Sequence, residues 1–290
     1  MKKYSASEVF KQLCKALCYL LVFVGMQFMV TFVIMFGYIF LEAFRAAASG
    51  GGEAAVQTVV EGSVTFIFSM EPWITIVSNG LCLLTLWIVF LIRRKKTLLE
   101  VHAVPFAKSQ IFPVILAALG AYLLIGYGME ILPIPEEAME AYAEASKGLT
   151  QGSVWLLFLS NVIAAPVAEE VVFRGLIFTR LKKAMPVWVA GLVSTLCFGL
   201  LHGQLIWICY ATLLGLFFCY VSYKTDSILS SICMHMIFNF LGSMPFMTGW
   251  ELPMAVCVAL TVLGAVAIVV SILLIRRNAD ACKAVPADNR

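Results

Sequence analysis

Eight runs of mostly Leu, Val, Ile, Phe and Ala dominate the chain, at about 15–41, 73–92, 111–132, 153–179, 186–203, 205–223, 227–243 and 252–275. Several reach the ~20 residues that an α-helix needs to cross a bilayer. Of the 290 residues, 62% are hydrophobic and 13% charged, against about 45–50% and about 25% in soluble domains. A single soluble core cannot hide that much apolar surface. The runs lack the two-residue alternation of a membrane barrel, so the expected fold is an all-α membrane protein, an eight-helix transmembrane bundle with a polar intramembrane cavity. A net charge of +3, dispersed along the chain, gives no basic stripe for a nucleic acid; the bilayer is the expected partner.

The charges set an orientation. With the N-terminus in the cytoplasm, seventeen of the twenty Lys and Arg fall inside, including Lys2, Lys3, the Arg93–Lys96 loop, Lys108, Arg180, Lys182, Lys183, Lys224, Lys283 and Arg290. Only Arg45 and Lys147 fall outside, and Arg174 lies within a span, as the positive-inside rule requires. Both termini are expected to be cytoplasmic. The first apolar run exceeds the about 7–15 residues of a signal-peptide core and reads as a retained helix. Residues 45–72, with the Gly-rich AAASGGGEAA, read as a flexible outer connector. Residues 133–150 read as a short outer helix with proline at its start and acids in its first turn, taken as a solvated connector ahead of a lid or substrate-facing element. The nine cysteines, Cys282 in the tail included, form no CxxC pair and read as small core residues. The whole of 1–290 reads as one integral membrane domain.

Ionisable groups inside spans are costly and mark function by default. They concentrate in APVAEEVVFRG (165–175), FGLLHG (198–203) and HMIFN (235–239), which hold two of the three histidines; the third, His102, follows the basic loop and reads as a surface residue. Glu170 and Arg174 stand at i and i+4 with the acid first, the favourable order for an ion pair, so the pair reads as a packing lock. Glu169 lies about 100° round the helix, with Phe173 rather than a cation one turn on, and is free for other work. His235 and Asn239, also i and i+4, can present two donors to one point. Phe173 and Phe198 read as packing residues. At 1.5 Å per residue, Glu169 is about 16 Å from Arg180, His235 about 14 Å from Asp226 and His202 about 24 Å from Pro186, all within a core about 30 Å thick. The first two depths lean toward the cytoplasmic half.

EEVVFR (169–174), FGLLH (198–202) and HMIFN (235–239) resemble, in order, the EExxxR, FxxxH and HxxxN motifs of the CPBP family, which includes type II CAAX prenyl endopeptidases and Abi-type bacteriocin-processing proteases. The likeness covers about 153–243. It implies an intramembrane endopeptidase of a bacterial cell membrane, without a cofactor, cutting a membrane-associated peptide or protein. In that reading Glu169 and His202 activate water, His235 and Asn239 hold the oxyanion, and Glu170 with Arg174 supports them. Two alternatives stand beside it. A zinc peptidase would use Glu169, His202 and His235 as ligands, although no HExxH occurs. A proton-coupled transporter or non-catalytic partner would be expected to show matching broken helices, and Pro166 is a single break.

Overall fold

The computed structural model describes residues 5–50, 53–150, 152–243 and 252–284, with only the backbone of 53–56 and 282–284. Lys2, Lys3 and Arg290, and the side chains of Cys282 and Lys283, lie outside the described residues. Within them the long elements are all helices: α1 (Ala6–Ala48), α2 (Glu53–Ile92), α3 (Thr97–Glu100), α4 (Ile111–Ile131), α5 (Glu136–Ser146), α6 (Val154–Leu181), α7 (Val187–Leu200), α8 (Leu205–Thr225), α9 (Ile228–Ser243) and α10 (Met254–Ala284). No strand occurs among the described residues. The protein is an all-α, multi-pass integral membrane protein.

The expected count of eight spans is not confirmed. Among the described residues six helices are long and apolar enough to cross a membrane, namely α1, α2, α4, α6, α8 and α10. The other two have 14 and 16 residues, about 21 and about 24 Å at 1.5 Å per residue, short of a core about 30 Å thick. They are the helices that bring His202 and His235 to the site.

The outer connector is also corrected. Helix α1 runs to Ala48 and α2 starts at Glu53, so the break is confined to 49–52 and most of 45–72 is helical. The two helices have 43 and 40 residues, about 65 and about 60 Å, twice the hydrocarbon thickness. Beyond it they stay paired, with Tyr38 stacked on Phe66 at 4.2 Å between ring centroids. Ser5 caps α1 by accepting from the Glu8 amide at 3.2 Å, the first half of a capping box.

Two packed layers flank α6. On one side Phe23 of α1 and Cys82, Leu86 and Phe90 of α2 pack with Val172, Phe173 and Leu176 of α6 and Phe198 of α7. On the other, Val114, Ala117, Ala118 and Ala121 of α4 pack with Phe218 of α8, Met234 of α9 and Ile275 of α10. Helices α4 and α10 meet through glycines: a Cβ on Gly264 would lie 2.6 Å from the Leu124 nitrogen and 2.8 Å from the Gly120 oxygen. Small residues permit such backbone approach in membrane interiors, where packing replaces the hydrophobic drive.

At the end carrying the basic loops, Glu100 accepts from Arg180 at 2.9 Å and faces Lys95 at 3.2 Å. Burial pushes its carboxyl up, but the two cations outweigh that and hold it below the usual carboxylate range. The eight described cysteines are unpaired. Cys82, Cys219 and Cys257 are buried as expected, whereas Cys14, Cys18 and Cys209 are exposed on the bundle's outer face.

Candidate active site

Helix α6 is not a regular α-helix. It is π-helical over Phe158–Ala164 and again over Glu170–Phe178, and such wide turns often accompany functional sites. In the first stretch the Ala165 amide bonds the Ser160 carbonyl, five residues back. The next bond of that register would run from residue 166 to Asn161, but Pro166 has no N–H. The Asn161 carbonyl is filled from another helix instead: Asn239 of α9 donates its Nδ2 to it at 2.8 Å. The break at Pro166 thereby locks α6 to α9 beside the site.

The second π-helical stretch carries Glu170 and Arg174, which form the ion pair that their i, i+4 spacing predicts. Arg174 Nη1 donates to Glu170 Oε1 at 2.8 Å, with both side chains 0% exposed. Its Nη2 donates to the Gly215 carbonyl at 3.2 Å, and its guanidinium lies 4.4 Å from the Phe198 ring centroid and 5.0 Å from that of Phe218. A Cβ at position 215 would meet Arg174 Nη2 at 2.9 Å, so a glycine there makes room for the cation. Two carbonyl and carboxylate acceptors plus two aromatic faces offset the burial of that charge.

His235 is the junction. Its Nδ1 bonds Glu170 Oε1 at 3.1 Å, and its Nε2 faces Glu169 Oε2 at 3.7 Å. Because the carboxylate accepts, Nδ1 carries the proton in that bond. The ring stacks on Phe218 at 4.6 Å, which fixes its plane. Glu169, by contrast, keeps 19% of its side chain exposed and faces a cavity of about 1180 Å³. One glutamate is sequestered and the other open. His202 follows the last turn of α7, its Nδ1 3.0 Å from the Phe198 carbonyl and its ring edge-on to Phe198 at 4.9 Å.

Glu169, His202, His235 and Asn239 all line this cavity; three motifs far apart in sequence thus converge. Asn239 does not stand free beside His235, since one of its amide hydrogens is held by Asn161, leaving the second. Among the described residues no three His, Cys, Asp or Glu side chains are grouped so as to hold a metal ion.

The cavity reaches the end of the bundle away from the basic loops. Tyr142 of α5, Leu149 just after it, Trp207 at the start of α8 and Ser243 at the end of α9 are part of its wall, all at the end away from the basic loops. The element at 133–150 is correspondingly more than a solvated connector. Helix α5 starts after Pro135 with Glu136 and Glu137 in its first turn, as expected, but Tyr142 packs edge-on against Trp207 at 5.7 Å and Asn161 Nδ2 donates to the Leu149 carbonyl at 3.0 Å. It forms the wall of the cavity at that end. Asn161 is the residue that sequence reasoning missed, although the proline five positions on was a usable signal.

The fold and site define a multi-pass helical membrane protein with a carboxylate–imidazole centre opening into an intramembrane cavity. Residues 151–241 match the Type II CAAX prenyl endopeptidase Rce1-like family. "Putative membrane peptidase YdiL" of Bacillus subtilis (strain 168) is 31% identical over 87 residues, which is 30% of this chain and 36% of that protein. The chain therefore aligns with little more than a third of that relative's length. No solved structure matches the chain. The resemblance carried by EExxxR, FxxxH and HxxxN is borne out over this segment, which contains every candidate site residue.

Proposed function

We propose that the protein is an intramembrane endopeptidase that hydrolyses a peptide bond of a membrane-associated peptide or protein. The observation that carries this reading is the division of labour between adjacent carboxylates: Glu170 is closed off by Arg174, while Glu169 faces the cavity within reach of His235. A carboxylate that no lysine or arginine pairs with and that faces a cavity is a competent general base. Glu169, with His202, takes a proton from the attacking water as its oxygen bonds the scissile carbonyl carbon, and returns that proton to the departing amine nitrogen. The carbonyl oxygen becomes an oxyanion, which the remaining Asn239 N–H and His235 Nε2 stabilise. Donation from Nε2 while Nδ1 keeps its bond to Glu170 takes a ring that holds both protons at that step. Arg174 and Glu170 orient His235 and do not touch substrate.

The decisive experiment is incubation of purified protein with membrane-anchored peptides, with cut sites mapped by mass spectrometry. Wild-type protein that cleaves none of a broad set, while folded in a lipid environment, would defeat the proposal. Nothing in this chemistry needs a Lewis acid. Activity is therefore expected to survive a strong chelator, and plasma mass spectrometry should find no stoichiometric zinc. One zinc per chain, lost with activity and restored with it, would transfer Glu169, His202 and His235 to the roles of metal ligands.

Orientation belongs to the same reading. With both ends cytoplasmic, a cysteine engineered near Lys95, in a background lacking the exposed native cysteines, is expected to resist an impermeant thiol reagent in whole cells. One placed at Glu140 of α5 is expected to react. Labelling in the reverse pattern would turn the protein over and put the cavity on the cytoplasmic side.

A further inference from the structure

Three carboxylates line the cavity, those of Glu71, Glu130 and Glu169, and among the described residues no lysine or arginine does. Glu71 stands out because it lies within α2, outside the segment matched by the family. Its Oε1 accepts a long bond from Thr75 at 3.4 Å, and its Oε2 is shielded from solvent with no hydrogen-bond partner among the described residues. An acid placed in a span without a counter-ion is expensive, and such groups pair with something. Arg174, the buried arginine nearest the site, is committed to Glu170, Gly215 and two aromatic rings.

The surroundings suit a bound chain rather than a bound ion. Thr75 and Asn79 follow Glu71 at i+4 and i+8 on the same face of α2, and both line the cavity. Gln27 of α1 donates to Asn79 Oδ1 at 3.1 Å and accepts from Ser78 at 2.6 Å, which fixes this polar track against the bundle. From Glu71 to Asn79 is about 12 Å along the helix axis, the length of about four extended residues. The turn after α5 closes on the same place, since a Cβ on Gly148 would meet Glu71 Cβ and Cγ at 3.3 Å. Rotation about the last torsion of Glu71, which is broad, presents either oxygen to the cavity.

We propose that Glu71 is a specificity-determining residue of this site and pairs with a lysine or arginine side chain of the substrate, on the same cavity wall that Glu169 lines. The proposal rests on the endopeptidase reading for the word "cut", and on the cavity alone for the pairing. The cation arrives with the peptide, which explains why the wall supplies none.

The test uses full-length protein in lipid nanodiscs and acyl-anchored peptides randomised around their centre. Wild-type products are expected to be enriched in Lys or Arg at a fixed spacing from the cut. Glu71→Gln is expected to lose that enrichment, with KM for a lysine-bearing peptide raised on the order of tenfold to a hundredfold and kcat changed far less. Glu71→Asp should restore part of the preference, and Glu71→Lys should invert it toward acidic peptides. A second arm needs no turnover: anisotropy binding of a lysine peptide and of its acetyl-lysine counterpart, which should differ at least tenfold on wild type and bind alike on Glu71→Gln. Cleavage without basic preference, or a preference that survives Glu71→Gln, overturns the role of Glu71. Discrimination in binding without any cleavage keeps it and overturns the endopeptidase reading instead.

Discussion

Glutamine at position 169 is expected to leave a folded protein that has lost turnover. The substitution preserves volume and hydrogen-bonding reach but removes the only carboxylate of the motif that faces the cavity, and a general base contributes about 10²–10⁴-fold. Stability should change little. Glu169 makes no ion pair with a lysine or arginine among the described residues: it faces His235 at 3.7 Å, and His235 keeps its shorter bond to Glu170 at 3.1 Å. The measurement is initial rate against the same peptide for wild type and Glu169→Gln, beside a thermal melt of each. A variant that keeps wild-type rate would remove Glu169 from the chemistry.

The adjacent acid is expected to behave in the opposite way. Glu170→Gln strands Arg174, 1% exposed, as an unneutralised charge among Phe198, Phe218 and the Gly215 carbonyl. Arg174→Met strands Glu170 in the same place. Removing one partner of a buried pair typically costs about 3–5 kcal/mol, which at 2–4 °C per kcal/mol for chains of this order is a fall in melting temperature on the order of 10 °C. The double variant should melt higher than the sum of the two losses predicts, because no orphaned charge remains. Rate should fall too, through loss of the bond that holds His235, so folded yield and melting temperature are the readouts that separate the two acids. If Glu170→Gln melts with wild type and is dead, while Glu169→Gln works, the assignments exchange.

Much of this was readable from the chain because it depends on neighbours within one turn. Apolar runs of bilayer length leave a helix as the only way to satisfy the backbone, so the class follows from composition and order alone. The same local geometry separates Glu170 from Glu169: Arg174 lies one turn from the first, and a phenylalanine lies one turn from the second. The acids and the proline around α5 likewise announce a short helix through end effects that act within its first turn.

What only the tertiary structure decided involves partners distant in sequence, or a helix that leaves its regular period. The π-helical turns of α6 change which carbonyls are left open, so Asn161 becomes the acceptor for Asn239, a bond across 78 positions that no periodicity encodes. His235 bridges both glutamates because α9 crosses α6 at their level. The lengths of α7 and α9 cannot be judged from hydropathy, since a helix packed into a membrane bundle stays apolar whether or not it crosses the full bilayer. The position of the cavity then follows from those two short helices and from the docking of α5 through Tyr142 and Leu149, contacts made by shape rather than by sequence pattern. Local rules named the chemical groups and their class of environment; packing decided which of them meet, and on which side of the bundle they are reached.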